Sequence, residues 1–236
     1  MRIAVLIAAS ALLAGCSAVP AGKPGPTELT PITPSRSAGV ATSAPGTVRS
    51  SASPTTRPSS TAAPAAGVPV AEAIAWVEAG PPADDADFRV ALRGGTTTPL
   101  GDDTAFTTPS GTSCMTDGKR AAGGLACLVN LVNPPPQPPD VYGAWKGGWV
   151  DFDGSSVRVG SAHGDPGRFA AGQGAPLPPG SSVSFGDFRC RTDAATLVCV
   201  NYARKTGARY SDDGIDTYGC TRQSPTPAGV GEQYAC

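Results

Sequence analysis

A chain of 236 residues with 18 basic and 19 acidic side chains has a formal charge of −1. That balance excludes the basic face a phosphate-tracking protein needs, so nucleic acid is not an expected partner, and it leaves no polybasic patch for anionic headgroups. Aromatic residues make up only 6 % and none precedes Trp76, so an aromatic core belongs to the later part of the chain.

The first fifteen residues, 1–15, have the layout of an export signal. Arg2 supplies the positive start, and 3–13 is apolar apart from Ser10. That run of about eleven residues is too short for a helix to span a bilayer, which takes ~20. It ends in Leu13-Ala14-Gly15-Cys16, which resembles the lipobox of bacterial lipoproteins. The resemblance implies cleavage before Cys16, acylation of Cys16 and a place on the outer face of the cell membrane, with the bilayer as a partner through the lipid anchor. A generic secretory signal with small residues at its cleavage site is the alternative. Two acyl chains hold a protein stably where one holds it marginally.

Residues 16–68 form the next unit, a run of Pro, Ser, Thr, Ala and Gly with scattered charges. Nothing large is available there to offset ordering entropy, so a disordered tether with polyproline II character is expected. A flexible chain of that length averages about 40 Å end to end.

The remainder, 69–236, has one domain's worth of chain. Val70, Ile74 and Val77 recur at helical spacing, which predicts a short amphipathic helix over 70–78, stopped by Gly80-Pro81-Pro82. In 84–93 Phe88 and Leu92 at i, i+4 predict a second helical turn stopped by Gly94, with a strand almost as good a fit because Phe88, Val90 and Leu92 also alternate. From 96 onward the pattern is β, with short runs bounded by Gly, Pro, Asp and Ser at 96–100, 105–108, 113–116, 125–132, 182–189, 196–202, 208–211 and 233–236. The clearest hairpin is 149–152 and 155–159 around Asp153-Gly154, which predicts a two-residue type I′ turn. Pro134 to Pro139 is expected to be an extended loop crossing between sheets. The expected fold is mainly β: an antiparallel sandwich or barrel with one or two short N-terminal helices, stapled by disulfides after a disordered tether.

Seven cysteines are present, and Cys16 is assigned to lipid. The six others form an even set in an exported domain, which predicts three disulfides. Cys114 with Cys127, and Cys190 with Cys199, each bracket a short turn between candidate strands. Antiparallel neighbours lie within disulfide reach. Cys220 with Cys236 follows by elimination. No Cys-x-x-Cys occurs and His163 is the chain's one imidazole, so no zinc or other metal site is expected.

Phe106-Thr107-Thr108-Pro109-Ser110-Gly111-Thr112-Ser113-Cys114 resembles the opening Phe-x-x-Pro-Ser-Gly motif of a group of small secreted actinobacterial domains. The likeness continues through Cys127, the proline run, Leu177-Pro178-Pro179-Gly180, Cys190 to Cys199, and Thr206-Gly207-Ala208-Arg209-Tyr210-Ser211. Together with the lipobox, this is similar to mycobacterial lipoproteins of the Lpp type. The resemblance implies an address and a fold type but no activity. The chain departs from the group in lacking its middle cysteine pair, and carries Cys220 and Cys236 instead.

Catalytic motifs are absent. A triad would have to use His163, in a loop-like Gly-Ser-Ala-His-Gly-Asp-Pro-Gly setting, yet there is no Gly-x-Ser-x-Gly elbow and no Ser-x-x-Lys. Asp102-Asp103, Asp151 with Asp153, and Asp212-Asp213 with Asp216 offer paired carboxylates or partial calcium ligand sets, but Asp beside Gly is first a turn residue. Tyr142, Trp145 and Trp149 stand among glycines, where they suit either a stacking surface for a ligand or a core role; with His163 they are the candidate ligand surface. No catalytic residue and no cofactor is assigned. The expected function is a membrane-anchored, non-enzymatic binding or interaction module, its partner an envelope glycan, lipid or protein. The rival is an envelope hydrolase using His163 or the paired Asp residues.

Overall fold

The computed structural model describes residues 61–119, 123–162 and 166–236. The export signal, Cys16, the tether through residue 60, and His163 lie outside the described residues.

The predicted helix forms as α1 (Val70–Glu78). Ala73, Trp76 and Val77 are buried, and Val70 and Ile74 pack at the margin of the same cluster. Glu72 stands in the first turn, where the helix dipole favours an acid. At the other end Arg191 donates to the Trp76 carbonyl (2.6 Å) and lies 4.3 Å from the Trp76 ring centroid. One cation thus satisfies a late helix carbonyl and packs on the helix's largest side chain. The ambiguous stretch 84–93 contains both alternatives in sequence. Asp84 accepts from the Ala86 N–H and opens a 3-10 turn (Asp85–Phe88), and β1 (Val90–Arg93) follows and pairs with β2 (Thr96–Pro99).

Two larger sheets make the body. The first strands are β3 (Ala105–Thr107), β4 (Ser113–Thr116), β5 (Leu125–Leu128), β6 (Lys146–Phe152) and β7 (Ser156–Ser161). After a second 3-10 turn (Gly167–Ala171) comes the short β8 (Ala175–Pro176). The other sheet is β9 (Ser182–Phe185), β10 (Phe188–Thr192), β11 (Leu197–Asn201), β12 (Thr206–Tyr210) and β13 (Ile215–Tyr218). The chain then returns to the first sheet with β14 (Arg222–Gln223) and β15 (Val230–Ala235). The orders are β13-β12-β11-β10-β9 and β14-β15-β7-β6-β5-β4-β3-β8, antiparallel except for β3 with β8. The single strand expected over 182–189 is a hairpin, because Gly186 takes φ +49° and reverses the chain.

The sheets face each other as a sandwich. Phe106, Leu125, Val150, Phe152, Val157 and Val159 from the larger sheet share one buried cluster with Val183, Phe185, Phe188, Leu197 and Tyr210 from the smaller. Phe152 meets Phe188 edge-on across the gap at 5.3 Å between centroids. Strand alternation then sends a second set of side chains to the outer faces. Val198 and Val200 lie under α1 with Trp76, Val77 and Tyr218. Met115, Ala126 and Trp149 lie under Ala91 of β1 and Phe169 of the second 3-10 turn.

Three disulfides join Cys114–Cys127, Cys190–Cys199 and Cys220–Cys236, the pairs the spacing predicts. The first two are directly opposed cross-strand pairs, with Cα separations of 4.1 and 4.0 Å, and all four cysteines are fully buried in the shared core. Their covalent link draws the strands slightly closer than the ~4.5 Å of an unlinked pair. Cys220–Cys236 fixes the end of β15, beside which the Cys236 N–H donates to the Ser155 carbonyl (3.2 Å).

Packing begins ahead of residue 69. Ala63 and Val68 join the cluster under α1. The Ala63 N–H donates to Asp193 Oδ2 (2.8 Å) and the Tyr218 hydroxyl to the Pro64 carbonyl (2.9 Å). Small side chains let this extended segment lie close to the domain, where its backbone groups find polar partners. Among the described residues no helix is long and apolar enough to cross a membrane.

Candidate functional site

The paired carboxylates resolve into separate structural duties. Asp153 turns the β6–β7 hairpin, accepting from the backbone N–H and the hydroxyl of both Ser155 and Ser156 at 2.7–2.9 Å. Partial burial acts to raise its carboxyl, but those four hydrogen bonds outweigh it and hold the group below its ordinary range. They also displace the expected turn by one residue. The Asp153 N–H donates to the Ser156 carbonyl (3.2 Å), so Gly154 and Ser155 are the central pair. Only Gly154 has positive φ (+90°), which is a type II′ pattern in place of the expected I′.

Asp151 accepts from Trp149 Nε1–H (2.9 Å) and lies 3.7 Å from Arg168, whose guanidinium also donates to the carbonyls of Met115 and Gly124. Asp103 ties the Thr116 hydroxyl and the Gly118 N–H at 2.8 and 2.7 Å. Asp216 pairs with Arg209 at 2.9 Å. Asp151, Asp153 and Asp216 hold turn and strand contacts, whereas Asp102 and Asp103 line one cleft of about 600 Å³ together with Lys119 and Phe185. Among the described residues no group of three or more His, Cys, Asp or Glu side chains is placed to share a metal ion.

The aromatic stretch divides. Trp149, assigned to the candidate ligand surface, is 1 % exposed and is a core residue. Positions 149 and 151 of β6 point to the outer face of the larger sheet, where Phe169 meets the indole edge-on at 5.2 Å and Asp151 takes its N–H. Tyr142 is 92 % exposed. Trp145 is half-buried, and its N–H donates to the Pro135 carbonyl (3.0 Å). His163 lies outside the described residues, so it joins none of them.

Tyr142 and Trp145 belong to a longer feature, the loop between β5 and β6. These two strands are neighbours in the larger sheet, so the proline run does not cross between sheets as expected. It is a strap over the outer face of the sheet's β6–β7–β15 end. The floor beneath it is glycine: Gly147 on β6, Gly160 on β7 and Gly231 on β15, with Gly160 and Gly231 opposed in register. A Cβ on Gly147 would stand 2.6 Å from Pro134, one on Gly231 2.6 Å from Pro135, and one on Gly160 2.5 Å from the Trp145 ring. Only hydrogen fits between strap and sheet at these points. Beyond Pro136 the loop braces itself, with Gln137 donating its amide to the Val141 carbonyl (2.6 Å) and the Val141 N–H donating to the Pro138 carbonyl (3.1 Å).

Exposure along the strap repeats every third residue. Pro135 is buried, and Pro138 and Val141 are half-buried; Pro136, Pro139 and Tyr142 are exposed. The Val141 N–H closes a turn on the Pro138 carbonyl, so the extended proline run stops at Pro138 and Tyr142 follows a turn. Pro136, Pro139 and Tyr142 are the exposed apolar residues of the strap, Pro136 before this turn, Pro139 within it and Tyr142 after it. Neither Pro136 nor Pro139 stands out singly in the sequence; the available signal is the proline run together with glycines inside strands, each of which marks a close approach.

Compared with family models, curated proteins and solved structures, the chain matches none.

Proposed function

We propose that this protein is a lipid-anchored, non-enzymatic binding module of the cell envelope, held at the outer face of the membrane through Cys16, with the proline strap as its binding surface. The address rests on Leu13-Ala14-Gly15-Cys16 and the short apolar run before it, a pattern similar to Lpp-type lipoproteins. The binding role rests on one observation above the rest. Pro136, Pro139 and Tyr142 are apolar and exposed on a loop that Trp145, Gln137 and the glycine floor hold in place. A loop kept ordered while it exposes an aromatic residue forgoes burial that the fold does not otherwise replace, and exposed apolar patches on ordered scaffolds are where partners dock. Of the carboxylates a hydrolase would use, Asp103, Asp151, Asp153 and Asp216 are engaged in the hairpin and strand contacts described above.

Metabolic labelling with a fatty-acid analogue tests the address. Wild type carries the label and sediments with membranes; Cys16→Ala carries none and leaves that fraction. Unchanged labelling and sedimentation of Cys16→Ala would refute the anchor.

A further inference from the structure

At one end of the sandwich, loops from both sheets converge. The larger sheet sends the β3–β4 turn and the segment after β5; the smaller sends the β10–β11 and β12–β13 turns. Between them opens a notch of about 240 Å³, whose polar lining is Ser110, Thr112, Asn130 and Asp212. Each wall is fixed by its own turn. The Thr108 N–H donates to the Thr112 carbonyl and the Gly111 N–H to the Thr108 carbonyl, both at 2.9 Å, and the Thr108 and Ser110 hydroxyls lie 2.9 Å apart. Gly111 has φ +82°, and a Cβ there would stand 3.0 Å from Asn130 Nδ2, so glycine lets the amide approach the turn. Opposite, Asp193 Oδ1 accepts from the N–H of Ala195 and of Thr196 at 2.9 and 2.7 Å, and the Val132 N–H donates to the Asp212 carbonyl (2.9 Å). The Pro109-Ser110-Gly111-Thr112 stretch of the sequence motif, to which the strap gives no role, thus becomes one wall of a preformed polar notch.

One group in it is left incomplete by the fold. Thr112 is 2 % exposed, and its backbone is bonded to Thr108, but its hydroxyl makes no hydrogen bond among the described residues. A buried hydroxyl without a partner is costly, and native structures complete such groups with something from outside the chain. The Asn130 amide and the Asp212 carboxylate are also free of protein partners among the described residues.

We infer that this notch binds one neutral sugar residue through adjacent hydroxyls. The lining mixes donors and acceptors: a carboxylate that accepts, an amide that does both, and hydroxyls that do either. Neighbouring sugar hydroxyls present the same mixture. An anion finds no Lys or Arg among the lining residues and meets Asp212 instead. An apolar ligand finds only Val129, Ala194 and Ala195. An ammonium group only donates, which leaves the Asn130 NH₂ unused. The volume lies below the ~300–1,000 Å³ of a drug-sized pocket, so it suits a single ring rather than an oligosaccharide. The sugar is either a free molecule or the end of an envelope glycan. No residue from Pro134 to Trp145 lines the notch, so this site stands or falls separately from the strap.

The test is a saturation-transfer NMR titration of the full-length protein in detergent micelles. The probes are glucose, galactose and mannose, each as the reducing sugar and as its methyl glycoside. At least one should bind saturably with a dissociation constant in the ~millimolar range, the scale for a small ligand held by a few hydrogen bonds. Asn130→Ala and Thr112→Val should each weaken binding about tenfold. Thr112→Val keeps the side chain's shape and removes an unpaired hydroxyl, so its Tm should hold or rise while the sugar is lost; a purely structural threonine would lower Tm and leave binding alone. Asn130 is exposed, so its variant decides the matter if Thr112→Val misfolds. Tyr142→Ala should bind as wild type does. A methyl glycoside that binds at least as tightly as its reducing sugar identifies a glycan end as the source, and the reverse order identifies a free sugar; both support the site. Absence of saturable binding by every probe, binding unchanged in both notch variants, tighter binding of ethanolamine or inorganic phosphate, or loss of binding in Tyr142→Ala would each overturn the inference.

Discussion

Helix α1 and the proline strap both cover an outer face of the same sandwich, and they do it in opposite ways. The helix turns its apolar side chains inward. Trp76 and Val77 are buried over Val198 and Val200, and Arg191 locks the helix end to the sheet. The strap sets two proline rings and an indole against the sheet, and the sheet gives up side chains at Gly147, Gly231 and Gly160 so that Pro134, Pro135 and Trp145 can settle. What remains of the strap's apolar surface points away. The helix cover completes a core, whereas the glycine-floored cover leaves apolar residues outside, which the proposed binding role would use. The two should therefore respond differently to mutation.

The largest effect belongs to the helix side. Trp76→Ala removes a buried indole and its contact with Arg191, and should cost about 3–5 kcal/mol in denaturant unfolding. A loss below 1 kcal/mol would mean that α1 is an appendage rather than part of the core.

On the strap side the sensitive residues are the floor. Gly231→Val places a branched side chain where a Cβ already comes within 2.6 Å of Pro135 and 2.9 Å of the Val159 carbonyl. Overpacking of this kind costs about 1–3 kcal/mol, and the strap should become the first site of limited proteolysis. If cleavage stays elsewhere, the strap is not seated on the floor.

The β6–β7 hairpin lies beneath the strap and gives a smaller, pH-dependent test. Asp153→Ala removes four accepted hydrogen bonds at a turn and should cost about 1–2 kcal/mol at neutral pH. The folded-state carboxyl is held below its unfolded value, so its contribution is present above the unfolded value and is lost as pH falls through the folded one. The gap between wild type and variant should therefore close in acid. A gap that stays constant from neutral pH to below pH ~3 would show that the carboxylate's charge is not what holds the turn.

Much of this fold was legible in the sequence because local chemistry dictated it. The helix over Val70–Glu78 announced itself by period and by Gly80-Pro81-Pro82, and β4 by its bounds at Ser113 and Thr116. The first two disulfides followed from strands joined by turns. What was not legible depended on side chains from distant segments. The hairpin around Gly186 reads as one strand only if Val183, Phe185 and Phe188 are joined across Gly186-Asp187, a Gly-Asp pair that is itself a turn signal. The turn at Asp153 moved one residue because its carboxylate accepts from two serines at once. The docking of Ala63 and Pro64 was invisible, since alanine and proline carry no pattern and their partners, Asp193 and Tyr218, lie far along the chain. At the candidate site, the aromatic stretch suits a ligand surface or a core role, and alternation along β6 decides for the core at Trp149 while Tyr142 stays outside.

The claim that the strap displays rather than stabilises is tested most directly by thermal unfolding of Tyr142→Ala beside wild type. An exposed residue whose role is binding contributes within about 0.5 kcal/mol to stability, so the two Tm values should agree to about 2 °C. A fall in Tm matching that of Trp76→Ala would contradict the account, because it would make Tyr142 part of the core.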